Sequence, residues 1–329
     1  MEFSELGRLA SGHVEARIIQ AAVQLGIFDA IGDGRDSSHT VAAALHLEPR
    51  PTELLLNALA ALKLLEKTGE FFSLAPVAAK HLVRTSSQYL GGMILFDASL
   101  WNCWEHLADT VRSGKPPRPA NMYQDNPEET EIFINGMDSL VKARGDADVV
   151  AHTVDWTKVT ALLDIGSGPG TYPIHLCRQF PGLSATIFDL PGTLKITKRY
   201  VSEARLEDRI KLVSGDYRFD SIPGSYDVIF LSNIIHGEDY DENQGLITKL
   251  FSSLRPGGRV IVKDHILDET WVNPPVGAIF SLLMLLTTTG GRCYSFSEIK
   301  TWMERAGLSQ VQQIDLPHPF TSSLVIGTK

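Results

Sequence analysis

Three strand ends and one histidine hold the residue types that could bind and act on a small molecule. Leu162-Leu163-Asp164-Ile165-Gly166-Ser167-Gly168-Pro169-Gly170 is an apolar strand running into a glycine-rich turn that opens a helix. Glycine is needed where a ligand comes closer to the backbone than a Cβ permits, and Gly166, Gly168 and Gly170 fit that need. The spacing is G-x-G-x-G rather than the dinucleotide G-x-G-x-x-G, and Pro169 removes an N–H that a pyrophosphate would use, which favours a ligand without phosphates. Thr186-Ile-Phe-Asp189-Leu190-Pro191 ends a second strand in an acid, where α/β nucleoside sites set a carboxylate against ribose hydroxyls. Ser214-Gly215-Asp216-Tyr217 ends a third, with an acid to hold an adenine amino group and an aromatic to cover the ring. Any one of these is an ordinary turn; three in order on successive strand ends point to a nucleoside site. Of ten histidines, His236 follows the fourth strand at the sheet edge where ligands bind in open α/β folds, and an imidazole there can take a proton.

These residues need a parallel sheet behind them. Strands and helices alternate over residues 159–164, 171–180, 185–189, 194–204, 210–213, 227–231, 244–254 and 259–263, which predicts a doubly wound, mostly parallel sheet of Rossmann-like type. Residues 311–315 and 324–328 read as a closing pair of strands around Pro317-His-Pro319. The N-terminal part predicts a helix over 16–30, helices over 40–47 and 52–65, and a hairpin-like 67–72, a winged-helix pattern. The helix over 52–65 is apolar around most of its circumference and carries one lysine, whereas a recognition helix needs polar and basic side chains, so packing or dimerisation is favoured over DNA recognition. Helical periodicity predicts one helix over 90–111 and another over 128–150, separated by the linker Ser113-Gly-Lys-Pro-Pro-Arg-Pro119. The domain division predicted is 1–112 and 113–329.

Composition narrows the classes. With 329 residues, 43% hydrophobic and 21% charged, the chain has room for two folded domains. A net charge of −9 with no run of Lys and Arg lacks the footprint of a general nucleic-acid binder. Cys103, Cys177 and Cys293 stand singly, which argues against a disulfide framework or a cysteine zinc site and fits a reducing cytoplasm. Glu2, Glu5 and Glu15 do not read as a secretory signal, and the apolar stretch 276–286 is too short to cross a bilayer, so no membrane partner is expected.

The motifs Leu163-Asp-Ile-Gly-Ser-Gly-Pro-Gly170, Phe188-Asp-Leu-Pro191, Gly215-Asp216, Ile235-His236 and Arg255-Pro-Gly-Gly-Arg-Val-Ile-Val262 together resemble the S-adenosylmethionine-dependent O-methyltransferases of the caffeate, hydroxyindole and bacterial natural-product type. The resemblance runs from about residue 16 to the C-terminus. It implies a winged-helix dimerisation domain, all-helical apart from its wing, ahead of a Rossmann-like catalytic domain, and a homodimer formed through the former. It also implies S-adenosyl-L-methionine as cofactor, with S-adenosyl-L-homocysteine as product. The cofactor-contacting positions it implies are Asp164, Gly166, Gly168, Asp189, Leu190, Asp216, Tyr217 and Ser232, the last standing where plant members carry a longer side chain. His236 matches the general base and Asp264 the acid that orients it. Plant members have a second acid after a glycine pair, where this chain reads Gly290-Gly291-Arg292-Cys293.

A small aromatic acceptor would be lined by Trp101, Trp104, Met137, Phe280 and Met284, with Tyr123 and Phe133 as further candidates; Met137 matches a substrate-side methionine of the family. An ordinary imidazole taking a proton from a phenol faces roughly 5 kcal/mol uphill, against about 12 kcal/mol for a group as weakly acidic as water, so a phenolic or enolic hydroxyl is favoured. Three other readings of the scaffold are C- or N-methylation, a cofactor-sensing winged-helix regulator, and, more weakly, a nicotinamide-dependent oxidoreductase. His106, His152, His175, His265 and His318 show no metal-ligand spacing and read as surface or packing residues.

Overall fold

The structure, a computed structural model, describes residues 2–118, 123–124 and 126–329, so Pro119 of the predicted linker lies outside it. The chain forms two compact units: one comprises residues 1–100 and 135–144, the other 101–134 and 145–329. The first boundary therefore falls at Leu100, ahead of the linker, and the stretch 135–144 belongs with the N-terminal unit.

In the first unit the leading helix spans Phe3–Leu25, well upstream of the expected start. Sequence periodicity misses its first turns because Phe3, Leu6, Leu9 and Val14 are exposed, while Ala22 and Val23 near its end reach the core. Helices Ser38–Leu45 and Pro49–Ala61 follow, then the antiparallel strands β1 (Leu65–Thr68) and β2 (Phe71–Leu74). This is the helix, turn, helix and wing order that the sequence predicts, with the hairpin supplying the wing. Helix Pro49–Ala61 buries Thr52, Leu56 and Leu59, yet Leu54 is exposed, so this helix is not buried on every side as its composition suggests. Phe28, Val41, Leu56, Leu59, Leu65 and Phe72 form the core of the unit. The single helix expected over 90–111 is three short ones, Gly91–Ser99, Trp101–Glu105 and Leu107–Ser113. The one expected over 128–150 is two, Pro127–Arg144 and Asp146–Thr153, interrupted where Gly145 takes the left-handed conformation that stops a helix.

The second unit is built on seven strands: β3 (Ala161–Ile165), β4 (Ser184–Asp189), β5 (Ile210–Ser214), β6 (Tyr226–Ser232), β7 (Leu254–Asp264), β8 (Ser309–Asp315) and β9 (Ser323–Thr328). Their order across the sheet is β5-β4-β3-β6-β7-β9-β8; the first five are parallel and β9 runs antiparallel to both β7 and β8. Leu162, Leu163, Val228 to Leu231 and Val260 to Val262 are fully buried, the near-continuous apolar runs of strands covered on both faces. From β3 the chain winds outward through β4 and β5, then returns to place β6 on the other side of β3. That reversal opens a crevice above the carboxyl ends of β3 and β6, where ligands settle in open α/β sheets. Among the described residues no helix is long and apolar enough to cross a membrane; the apolar stretch 276–286 lies in helix Pro275–Thr287.

Candidate active site

The crevice is floored by the glycine turn after β3. Gly166, Gly168 and Gly170 all adopt positive φ (61°, 59° and 78°), so the backbone conformation itself favours glycine at all three. A Cβ on Gly166 would stand 2.4 Å from Ile234 Cδ1 and 3.7 Å from Tyr217 Cε1, which shows how closely the neighbouring strand ends close over this turn. Asp189, at the end of β4, holds the turn: its Oδ2 accepts from the Gly168 N–H at 2.8 Å and its Oδ1 from the Leu190 N–H at 2.7 Å. A carboxylate has about four lone-pair sites, so both oxygens retain capacity for ribose hydroxyls. Asp164 is buried and accepts from Ser167 Oγ at 2.6 Å. Burial pushes Asp164 up to about 8, helped by the charge of Asp189, and pushes Asp189 itself up to about 6. Neither acid pairs with a basic side chain among the described residues. Two adjoining buried carboxylates with no cation of their own suit a ligand that brings positive charge.

At the end of β5, Asp216 forks onto Arg218, with Oδ2 2.7 Å from Nη2 and Oδ1 3.0 Å from Nε. Arg218 holds its carboxyl below the ordinary range, so the acid expected to meet an adenine amino group is already ionised and oriented. Tyr217 is buried, and its hydroxyl donates to Glu238 Oε1 at 2.7 Å. Ser232 closes β6, half-buried and paired in register with Lys263 of β7.

His236 lies in the single 3-10 turn Ile235–Gly237 after β6. Asn243 holds that turn from beneath: its Nδ2 donates to the carbonyls of Ile235 (2.8 Å), Asp239 (2.9 Å) and Glu238 (3.2 Å). His236 Nδ1 lies 2.8 Å from Asp264 Oδ1, and the imidazole is 12% exposed against 2% for the carboxylate. Since a carboxylate only accepts, Nδ1 carries the proton and Nε2 is left with its lone pair. Burial works to raise Asp264, but His236 and His265 together outweigh it and hold the carboxyl below its usual range. Phe280 packs edge-on to the imidazole at 4.8 Å between ring centres and edge-on to His265 at 5.4 Å. Cys293 is buried, and burial together with the Asp264 charge pushes its thiol up to about 12. A neutral thiol therefore stands where plant members would carry a second acid.

A conserved-domain comparison matches residues 104–309 to an O-methyltransferase domain and residues 8–84 to an O-methyltransferase dimerisation domain. The chain belongs to the O-methyltransferase family. This O-methyltransferase is 30% identical to a 3-hydroxy-5-methyl-1-naphthoate 3-O-methyltransferase of Streptomyces sahachiroi, covering 98% of this chain and 94% of that one. It is also 30% identical to the tetracenomycin polyketide synthesis 8-O-methyl transferase TcmO of Streptomyces glaucescens, covering 95% and 93%. Among solved structures, PigF with SAH superimposes with a TM-score of 0.89 at 26% identity, over 100% of both chains.

The remaining predicted residues of the O-methyltransferase divide between its units. Phe280 and Met284 share helix Pro275–Thr287, which packs against the His236 turn and against helices Trp101–Glu105 and Leu107–Ser113, bringing the segment of Trp101 and Trp104 to the same side. Tyr123 stacks on Phe133 at 4.6 Å. Met137 is half-buried in the stretch 135–144 and so belongs to the first unit. Sequence reasoning missed Glu238, Asn243 and the fully buried ion pair of Lys263 with Asp146 at 3.0 Å, in which Lys263 also donates to Ser322 Oγ at 3.0 Å. Lys263, charged and directly after the apolar run Val260 to Val262, was the one signal available for that pair.

Proposed function

We propose that this S-adenosylmethionine-dependent O-methyltransferase acts on a phenolic or enolic hydroxyl of a small aromatic natural product, with His236 as general base. The observation that carries this is the 2.8 Å contact of His236 Nδ1 with buried Asp264, set in the crevice beside the glycine turn. With Nδ1–H tied to the carboxylate, Nε2 is the atom that accepts the hydroxyl proton, and Asp264 stabilises the cationic ring that results. Phe280, edge-on to the imidazole, gives the ring an apolar neighbour. When bound, S-adenosylmethionine supplies an electrophilic methyl group. Gly166, Gly168, Asp189, Leu190, Asp216, Tyr217 and Ser232 would hold it, and the buried Asp164 and Asp189 carboxylates would offset its positive charge. The named relatives methylate oxygens of a naphthoate and of a tetracenomycin polyketide intermediate, which supports an aromatic acceptor here.

His236→Ala tests the reading. Turnover should fall by at least 100-fold, within the roughly 10²–10⁴-fold range of general base catalysis, while S-adenosylhomocysteine binding is retained. Turnover equal to wild type would rule out the base assigned here. We infer further that the protein is a homodimer formed through its N-terminal unit. Helix Phe3–Leu25 extends most of its length without a core beneath it and exposes Phe3, Leu6, Leu9 and Val14, a helix that needs a partner to be stable.

A further inference from the structure

The glycine turn and the His236 turn come from different strand ends, yet one side-chain hydrogen bond ties them. Tyr217 sets its ring beside the glycine turn, with Cε1 3.7 Å from where a Cβ on Gly166 would stand, and donates its hydroxyl to Glu238, the residue that ends the His236 turn. Glu238 is fastened from the other side as well, its carbonyl accepting from Tyr294 Oη at 2.6 Å and from Asn243 Nδ2 at 3.2 Å. Its main chain is thus fixed to the scaffold that carries the imidazole, and its carboxylate reaches toward the nucleoside side.

We propose that Glu238 is a positioning residue that, through Tyr217, couples occupancy of the nucleoside site to the placement of His236. The proposal rests on the function assigned above. The arrangement is costly for mere packing: Glu238 is 6% exposed, and burial pushes its carboxyl up to about 7. Arg218 faces it favourably and Glu242 unfavourably. A neutral side chain would fill the same space without that penalty, whereas a carboxylate accepts a far stronger hydrogen bond from a phenol. A ligand ring seated against Tyr217 restricts that ring, and the hydroxyl passes the restriction to Glu238 and the turn. Asn243 and Tyr294 make the turn rigid enough to respond as one body.

The experiment compares wild type with Tyr217→Phe, Glu238→Gln, Glu238→Ala and the Tyr217→Phe/Glu238→Ala double variant. S-adenosylhomocysteine affinity is measured by calorimetry, and the ring nitrogens of His236 are followed by NMR as the ligand is added. Tyr217→Phe keeps the ring and removes only the hydroxyl, so it reports even where Glu238→Ala fails to fold. In wild type the His236 resonances should shift on saturation. Tyr217→Phe and Glu238→Ala should each weaken binding by roughly tenfold, the lower end for a hydrogen bond to a charged acceptor, and abolish the shift. The double variant should be no worse than either single one, and Glu238→Gln, which keeps an accepting oxygen but loses the charge, should recover part of both effects. Wild-type affinity with an unchanged His236 response in Tyr217→Phe would overturn the coupling while leaving the proposed function standing. Failure of wild type to bind S-adenosylhomocysteine would overturn the functional reading, and this inference with it.

Discussion

Replacing Asp264 with asparagine removes a charge from behind the imidazole while leaving its shape. Asp264 Oδ1 accepts from His236 Nδ1 at 2.8 Å and from the His265 backbone N–H at 2.8 Å, and an amide oxygen can take over the second contact. Two unit charges 4 Å apart interact by about 4 kcal/mol at an effective dielectric near 20. Against that stands the desolvation of a carboxylate that is almost wholly buried, so the net contribution is that of a hydrogen bond to a charged group, about 1.5–3 kcal/mol. At about 1.4 kcal/mol per decade, turnover should fall by about 10- to 150-fold. If the amide turns its NH₂ to the ring and forces the proton onto Nε2, the loss rises toward about 10⁴-fold, as when the triad aspartate of serine proteases becomes asparagine. The assay is single-turnover methyl transfer at saturating S-adenosylmethionine to a phenol that the wild type methylates, with S-adenosylhomocysteine affinity as control. Stability gives a second readout. The folded carboxyl lies below its unfolded value, so its contribution is present above about pH 4 and is lost as pH falls through the folded value. Asp264→Asn should therefore melt lower than wild type at pH 7, with the gap closing in acid. Turnover within twofold of wild type, or a loss wholly explained by weaker cofactor binding, would refute the assignment.

Three further outcomes are expected. Burial raises Asp164 to about 8 and Asp189 to about 6, so the protein without ligand should lose stability as pH rises through those values, and a cationic ligand must displace their protons. S-adenosylmethionine carries one more positive charge than S-adenosylhomocysteine, and calorimetry should find its relative affinity rising by about tenfold from pH 6 to pH 9; a flat ratio would argue against carboxylates in that site. Light scattering at micromolar concentration should give twice the chain mass for wild type and a shift toward the monomer for Leu6→Asp/Leu9→Asp, whereas a monomeric wild type would contradict the dimer.

The strands were legible wherever burial on both faces wrote an unbroken apolar run, as in β3, β6 and β7; the pairing of His236 with Asp264 was reached through the family resemblance alone, and the fold sets both at the ends of neighbouring strands. Where apolar side chains face away from the monomer's own core, periodicity pointed nowhere, and the first half of helix Phe3–Leu25 was lost. The breaks within 90–111 carry no glycine or proline, so a single helix was the natural reading; at Gly145 the signal was present. The sequence reading is silent on helix Phe296–Arg305, although Ser295 and Glu298 form a capping box ahead of buried Ile299, Trp302 and Met303. Asp216 was read as a free acid because Arg218 was not weighed as its partner. Asp146 and Lys263, and Tyr217 and Glu238, lie in stretches that only the fold brings together, and side-chain pairs of this kind leave no local pattern.

The neighbouring charges Lys263 and Asp264 also fix the register of β7. Successive side chains on a strand point to opposite faces, and here one meets Asp146 while the other meets His236. A slip of β7 by one residue would turn each to the opposite face, parting the ammonium from Asp146 and the carboxylate from His236. Both faces would then carry an unmatched buried charge in place of two satisfied pairs. Apolar strands of Val and Ile tolerate such a slip with little penalty, and this strand is apolar from Val260 to Val262. The dipeptide that follows marks a single alignment as acceptable, so the carboxylate that serves the proposed chemistry also helps, with the lysine beside it, to set the register of the strand that carries it.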